Sequence, residues 1–357
     1  MVELVWLVPA LPLFGFVVLL LTGHLLGEPQ SGWVATVAAG ASFIATAIVF
    51  VGLLGKDAHE GERSYEFVLF EWLPAGSLKV EAGFLVDPLS VTMALFVTGV
   101  GALIHLYSIG YMHGDQKYSK FFLYLNLFLF SMLMLVFGNN LVVTFLGWEG
   151  VGACSYLLIS FWHHRESAAT AGKKAFVTNR VGDWGFMIAT FAIWSALGTV
   201  TYTEITTAPA MSAATGTAVS LLLFVAAAGK SAQLPLYVWL PDAMEGPTPV
   251  SAMVHAATMV TSGVYLLVRM NNVLTDDALI VIAVIGGATA LFAALCAVAQ
   301  HDIKRVLAYS TVSQLGYMFL AIGSGAYVAA IFHCLLYTSP SPRDQRGSGV
   351  AGCGCKK

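Results

Sequence analysis

The chain has 357 residues, of which 58% are hydrophobic and only 10% charged, with a formal net charge of −3. A soluble domain carries about a quarter charged residues, so this composition excludes a water-soluble enzyme. There is no basic excess of the kind a nucleic-acid-binding module needs, and a polytopic membrane protein remains.

Apolar stretches near twenty residues recur at about 4–22, 32–54, 85–111, 120–137, 141–162, 175–198, 216–234, 249–270, 277–299 and 306–323. They predict an all-α protein of roughly ten spanning helices, with an eleventh beginning near Gly325. The first stretch reads as a retained helix and not a signal peptide, because Met1-Val2-Glu3 supplies no basic n-region and Pro9 and Pro12 interrupt it. Loops after odd-numbered helices carry Lys117, Lys120, Arg165, Lys173, Lys174, Lys304 and Arg305. Loops after even-numbered helices carry Arg269 and, in one long acidic segment, Lys56, Arg63 and Lys79. The odd loops are therefore expected on the cytoplasmic or matrix side and the N-terminus on the outer side.

The acidic segment 56–84 contains Leu78-Lys-Val-Glu-Ala, which alternates, preceded by a turn-forming Pro74-Ala-Gly76. This predicts a β-hairpin on the outer face, read as a solvated cap. Asp87-Pro88 suits a helix start, with Asp87 as its cap. His105, alone in its helix, reads as a packed core residue.

Glu149 lies deep in the 141–162 stretch. A charged side chain at the bilayer centre costs about 2.5–3.5 kcal/mol on insertion scales, so Glu149 is expected either to take a proton or to face a cation. Arg180 and Asp183 are three apart in the next helix, share a face and can pair. His163 and His164 at the membrane edge lack partners at zinc-site spacing.

The chain is organised around residues 226–270. Lys230 follows an apolar run where a membrane helix should carry no charge, and Pro235 follows it. An interior proline removes a backbone donor and clashes with the preceding turn, so the helix is expected to break there. Irregular backbone at membrane depth is tolerated only where protein buries it or it lines a wet cavity. A lysine beside such a break is a site candidate. Asp242 and Glu245 in the following loop read as surface loop structure. The next helix, from Pro249, holds His255, which can accept and pass a proton near neutral pH. Asp302 is placed to cap a later helix, and Thr311, Ser313 and Gln314 read as packing and hydration. The cysteines Cys154, Cys296, Cys334, Cys353 and Cys355 form no CxxC pair and no iron–sulfur spacing, and no Gly-rich nucleotide fingerprint is present.

These motifs resemble one family. The runs FLVDPLS from Phe84, GWEGVGACSYLLISFW from Gly147, KAFVTNRVGDWG from Lys174, GKSAQLPLYVWLPDAMEGPTPVSAMVHAATMVTSGVYL from Gly229 and DIKRVLAYSTVSQLGYM from Asp302 occur in order. They are similar to the antiporter-like membrane subunits of proton-pumping NADH:quinone oxidoreductase (respiratory complex I), and most to subunit L, also called chain 5. The resemblance covers about residues 1–335. It implies a fold of two inverted repeats, each with a broken helix. The expected division is N-terminal helices over 1–115, a first repeat over 116–271 and the start of a second over 272–336.

The resemblance further implies that Glu149, Lys230 and His255 form a proton relay leading to His333, modulated by the Arg180–Asp183 pair. A negative charge on Glu149 near Lys230 favours its ammonium form, and drawing that charge away sends a proton toward His255. The redox cofactors (NADH, FMN, iron–sulfur clusters and quinone) are then expected in partner subunits, with none in this chain. A neighbouring antiporter-like subunit is the expected direct partner. A bacterial plasma membrane is the expected location, with a mitochondrial inner membrane as the alternative. A cation/proton antiporter, a membrane-bound hydrogenase subunit and a non-transporting membrane-arm scaffold are the competing readings. After Cys334 the family pattern stops: residues 337–357, rich in Pro, Ser and Gly, cannot continue a membrane helix and read as translated vector or adapter sequence.

Overall fold

A computed structural model describes residues 1–55, 63–76, 78–254 and 258–338. The order begins with a 3₁₀ turn at Val2–Trp6, then α1 (Leu7–Leu26) and α2 (Gln30–Leu54). A hairpin follows, β1 (Tyr65–Ala75) and β2 (Leu78–Val86), and then α3 (Pro88–Tyr111), α4 (Tyr118–Phe137), α5 (Leu141–Ile159) and α6 (Glu166–Leu197). A short α7 (Tyr202–Thr207) leads to α8 (Ala213–Lys230), α9 (Thr248–Ala252) and α10 (Ser262–Arg269). The chain continues through α11 (Asp276–Val298), α12 (Ile303–Gly323) and α13 (Tyr327–Thr338). The last helix passes the limit expected at residue 336 by two residues.

Among the described residues, eight helices are long and apolar enough to cross a membrane: α1 together with the turn before it, α2, α3, α4, α5, α8, α11 and α12. At 32 residues α6 is also long enough, but it carries Lys173, Lys174, Arg180 and Asp183. Lipid tails are as apolar as leucine, so such helices are held by close packing and interhelical polar contacts. The deepest layer is aromatic and small: Phe121, Phe122, Phe128 and Phe137 of α4 are fully buried, and α6 meets α8 through glycine and alanine.

The hairpin forms where expected and extends further. Its antiparallel register runs from Tyr65↔Val86 to Ala75↔Leu78, with Gly76 in the turn at φ +64°, a conformation glycine adopts without a Cβ clash. Residues 85–86, at the edge of the apolar stretch 85–111, belong to β2, because the apolar run Phe84-Leu-Val carries no period that separates strand from helix. The helix starts at Pro88 with Asp87 as cap, in a capping box with Ser90. The hairpin is stitched to the α4–α5 connection: the Asn139 side chain donates to Glu66 at 2.6 Å and the Asn140 side chain donates to the Glu81 carbonyl at 2.6 Å. The Asn140 side-chain oxygen in turn accepts from Val142 and Val143, capping α5. The hairpin is thus more than a solvated cap: it fixes the start of the helix that carries Glu149.

The continuous helix expected over 249–270 is interrupted among the described residues. α9 ends at Ala252, a 3₁₀ turn spans Met259–Thr261, and α10 begins at Ser262. Hydroxyl side chains explain the irregularity: Thr258 donates to the Met253 carbonyl, Thr261 to Thr258 and Ser262 to Met259, each at 2.6–2.7 Å. These bonds compete with the helical ladder. His105 is buried, with Nδ1 2.7 Å from the Gly101 carbonyl, the core role expected for it. Asp302 caps α12, accepting from the Lys304 amide at 2.9 Å.

Candidate functional site

Three helices meet at the candidate site. α8 ends at Lys230, five residues ahead of Pro235, because the proline ring cannot coexist with a helical carbonyl four residues earlier, at Ser231. Ala232 takes φ +48° in the break, and the freed groups find partners. The Trp239 indole donates to the Gly229 carbonyl at 3.0 Å, the Ser231 hydroxyl to Val260 at 2.7 Å, and the Leu234 amide to the Thr289 hydroxyl at 3.2 Å. Irregular backbone is thereby satisfied inside protein, the condition for keeping it at membrane depth. Lys230 itself sits at a helix C-terminus, where the backbone dipole favours a cation.

Two glycines bring the second helix in. A Cβ on Gly182 would lie 3.0 Å from the Gly229 Cα, and a Cβ on Gly229 would lie 3.0 Å from the Gly182 Cα. With neither present, α6 and α8 touch backbone to backbone, and the residues beside the glycines, Asp183 and Lys230, face each other. Lys230 Nζ is 3.3 Å from Asp183 Oδ1. The geometry is that of an ion-pair contact and not of a formed hydrogen bond. The lysine side chain is wholly buried and that of Asp183 is 3% exposed.

α5 supplies Trp148 and Glu149. The Trp148 indole N–H donates to the same Asp183 oxygen at 2.7 Å, and Lys230 Nζ stands 5.6 Å from the Trp148 ring centroid. Glu149 accepts from Arg180, one turn along α6 from Asp183. Arg180 Nε is 3.6 Å from Asp183 Oδ2, and its guanidinium lies over the Phe176 ring at 4.5 Å. Two cations and two carboxylates therefore form one chain: Lys230, Asp183, Arg180, Glu149. The outer pair is half-buried, with Arg180 36% and Glu149 23% exposed.

The structure corrects the sequence reading at two points. Lys230 has Asp183 as its direct partner, where Glu149 was expected, and Glu149 holds Arg180. The Arg180–Asp183 pair exists, and it links the Arg180–Glu149 contact to the Lys230–Asp183 contact. Adjacent residues lie about 100° apart on a helix, so Trp148 and Glu149 reach different residues of the same α6 face, Asp183 and Arg180. Trp148 was missed; its tryptophan N–H beside a buried acid was the available signal. His333 on α13 lies with Nε2 2.6 Å from Gln314 Oε1 of α12, so the structure does not bring it into hydrogen-bond reach of Lys230. Gln314, read as packing, is its partner. His255 lies outside the described residues. Asp242 pairs with Lys174 at 2.6 Å and Glu245 accepts from Ser167 at 3.1 Å, the two residues bounding a 3₁₀ turn (Asp242–Glu245) where loop is expected. A further buried pair was not foreseen: Arg269 donates to Asp87 and, at 2.9 Å, to the Tyr265 hydroxyl. Among the described residues no group of His, Cys, Asp and Glu could hold a metal ion.

A polytopic helical bundle with a broken helix and a buried lysine–carboxylate–arginine chain has the architecture of the antiporter-like class of membrane subunits. A family model described as "NADH:quinone oxidoreductase/Mrp antiporter, TM" matches residues 138–341, and one described as "NADH-Ubiquinone oxidoreductase (complex I), chain 5 N-terminus" matches residues 72–122. The chain belongs to the NADH:quinone oxidoreductase/Mrp antiporter membrane-subunit family. It is 49% identical over 344 residues to NADH-quinone oxidoreductase subunit L of Mycobacterium tuberculosis (strain ATCC 25618 / H37Rv), covering 93% of this chain and 53% of that protein. Against subunit L of Escherichia coli (strain K12) the identity is 46% over 333 residues, covering 92% and 54%. The chain thus spans about half the length of the curated relatives it matches. Among solved structures, the Mrp complex from Dietzia sp. DQ12-45-1b has a chain that superposes with TM-score 0.81 at 30% identity, covering 94% of this chain and 36% of that one.

Proposed function

We propose that the chain acts as part of a proton-translocating membrane-arm subunit of an NADH:quinone oxidoreductase, with redox cofactors held by partner subunits. The observation that carries this reading is Lys230, wholly buried at a helix break and held by one carboxylate that also binds Arg180. Arg180 is shared between Glu149 and Asp183. When Glu149 takes up a proton, the guanidinium is drawn to Asp183, and Asp183 holds Lys230 less strongly. Lys230 then releases its proton toward His255 and on to His333. When Glu149 is ionised again, Arg180 returns and Lys230 is recharged. Residues 116–271 form the first antiporter-like repeat in this reading and 272–336 begin the second. The face bearing Lys117, Lys120, Arg165, Lys304 and Arg305 is cytoplasmic, the N-terminus is outside, and the membrane is a bacterial plasma membrane. An adjoining antiporter-like subunit is the direct partner.

The test uses the full-length protein in its complex, reconstituted in vesicles. Lys230→Ala should lower protons moved per electron while NADH-to-quinone electron transfer continues; an unchanged ratio refutes the relay. The likeness to the Dietzia Mrp chain favours one second reading, a cation/proton antiporter subunit. Sodium-driven proton exchange without NADH oxidation would establish that reading.

A further inference from the structure

One end of the bundle is closed by the α1–α2, α3–α4 and α5–α6 connections. There, the start of α4 and the end of α5 leave a recess of about 180 Å³ with Lys117, Lys120, His163, Tyr124, Tyr156 and Ser160 in its lining. No carboxylate lines it. The nearest acids, Asp115 and Glu28, line an adjoining cleft, where each accepts other hydrogen bonds. Asp115 accepts from the Lys117 amide at 2.8 Å and from the Trp162 indole at 3.1 Å, and Glu28 accepts from His113 and, at 3.0 Å, from the Gly114 amide. Among the described residues neither Lys117 nor Lys120 has a carboxylate within ion-pair distance. The Lys117 ammonium instead stands 3.4 Å from the His163 ring nitrogens, which gathers donors without a counter-ion. Lys117 is also the residue before α4; Asp115 takes the Lys117 and Tyr118 amides, and the Ser119 and Lys120 amides remain at the positive dipole end.

We propose that this recess binds the phosphodiester headgroup of an anionic phospholipid. The two lysines supply charge, Tyr124 and Tyr156 supply hydroxyls, and the first turn of α4 adds partial positive charge. Basic pockets between spanning helices take such headgroups. The apolar remainder of the wall, Leu157 and Phe161, belongs to the last turn of α5 and the residues beyond it, at the level where the span ends. An acyl chain leaving the headgroup covers that wall, whereas a free phosphate leaves it bare. The site is independent of the proposed proton relay.

The test is native mass spectrometry of the full-length protein in its complex, released from phosphatidylcholine vesicles containing a minor fraction of phosphatidylglycerol. Lys117→Gln with Lys120→Gln should retain one phosphatidylglycerol fewer than wild type and bind it about thirtyfold more weakly, given the contribution each basic side chain makes at an anionic surface. Lys117→Arg with Lys120→Arg should retain it. Should the double glutamine variant fail to assemble, Lys120→Gln alone, which removes an exposed side chain, should weaken retention about fivefold. Equal retention by wild type and the glutamine variants overturns the proposal. So does loss in the arginine variant equal to that in the glutamine one, and so does release of the lipid by inorganic phosphate alone, which would assign the site to the free anion.

Discussion

Lys230 Nζ lies 3.3 Å from Asp183 Oδ1, and both side chains are shut away from the surface. Removing one member of such a pair leaves an uncompensated buried charge, at a cost of about 3–5 kcal/mol, whereas removing both with shape preserved is far milder. Asp183→Asn should therefore destabilise the full-length protein by about 3–5 kcal/mol. Adding Lys230→Met should recover much of that loss. Denaturant or thermal unfolding of the two single variants and the double variant closes the cycle. Strictly additive losses would show that the contact contributes nothing.

Trp148 holds the acceptor side of the same contact. Its indole N–H donates to Asp183 at 2.7 Å, and a hydrogen bond to a charged group contributes about 1.5–3 kcal/mol. Trp148→Phe keeps an aromatic face toward Lys230 and removes the donor together with one ring of the indole. It should cost about 1.5–3 kcal/mol in wild type and markedly less in an Asp183→Asn background. Equal losses in the two backgrounds would assign the effect to ring packing instead.

Two glycines near the site should behave differently. A Cβ on Gly152 would fall 2.7 Å from Lys230 Nζ, the far end of a flexible side chain. A Cβ on Gly182 would meet the Ala226 carbonyl and the Gly229 Cα at 3.0 Å, which are backbone. Gly182→Ala forces α6 and α8 apart and should destabilise by about 1–3 kcal/mol, the usual cost of overpacking. Gly152→Ala should displace the ammonium and lower proton transport with little change in unfolding temperature. Comparing transport and unfolding for both variants separates the two; an unaltered transport rate in Gly152→Ala removes that glycine from the site.

The elements of the site were readable in the sequence, and their pairing was not. Lys230 and Glu149 stand out because charge in an apolar run is costly, and Pro235 announces the break by removing a donor. What decides the pairing is the face each residue takes in a three-helix junction, and that depends on Gly182 and Gly229 meeting across helices far apart in sequence. Periodicity within one helix shows that Arg180 and Asp183 share a face, but not that Asp183 is turned toward α8. The hairpin was legible from alternation around Leu78, yet its hold on Asn139 and Asn140 is a long-range contact with no local signature. Continuity of the helix over 249–270 followed from hydropathy alone, whereas Thr258, Thr261 and Ser262 turn their hydroxyls onto the backbone and interrupt it.

Asp87 was legible as a cap, and it does a second task that gives a pH dependence. It accepts from Arg269 at the end of α10 and from the Ser90 amide at 2.8 Å, joining the start of α3 to the helix that follows the break. Burial pushes its carboxyl up, but the Arg269 charge and hydrogen bonds, with those from Ser90, outweigh burial and hold it below its ordinary value of 3.8. A carboxylate depressed in the folded state contributes stability that is fully present above its unfolded value, about pH 4, and is lost as pH falls through the folded value. Asp87→Asn should therefore lower stability at neutral pH by about 3–5 kcal/mol, because Arg269 stays buried and loses its partner. The same variant should flatten the acid limb of the stability curve, since the group that titrates there is gone. Unfolding of the full-length protein across that range tests both parts, and an acid limb as steep in the variant as in wild type would place the titration elsewhere.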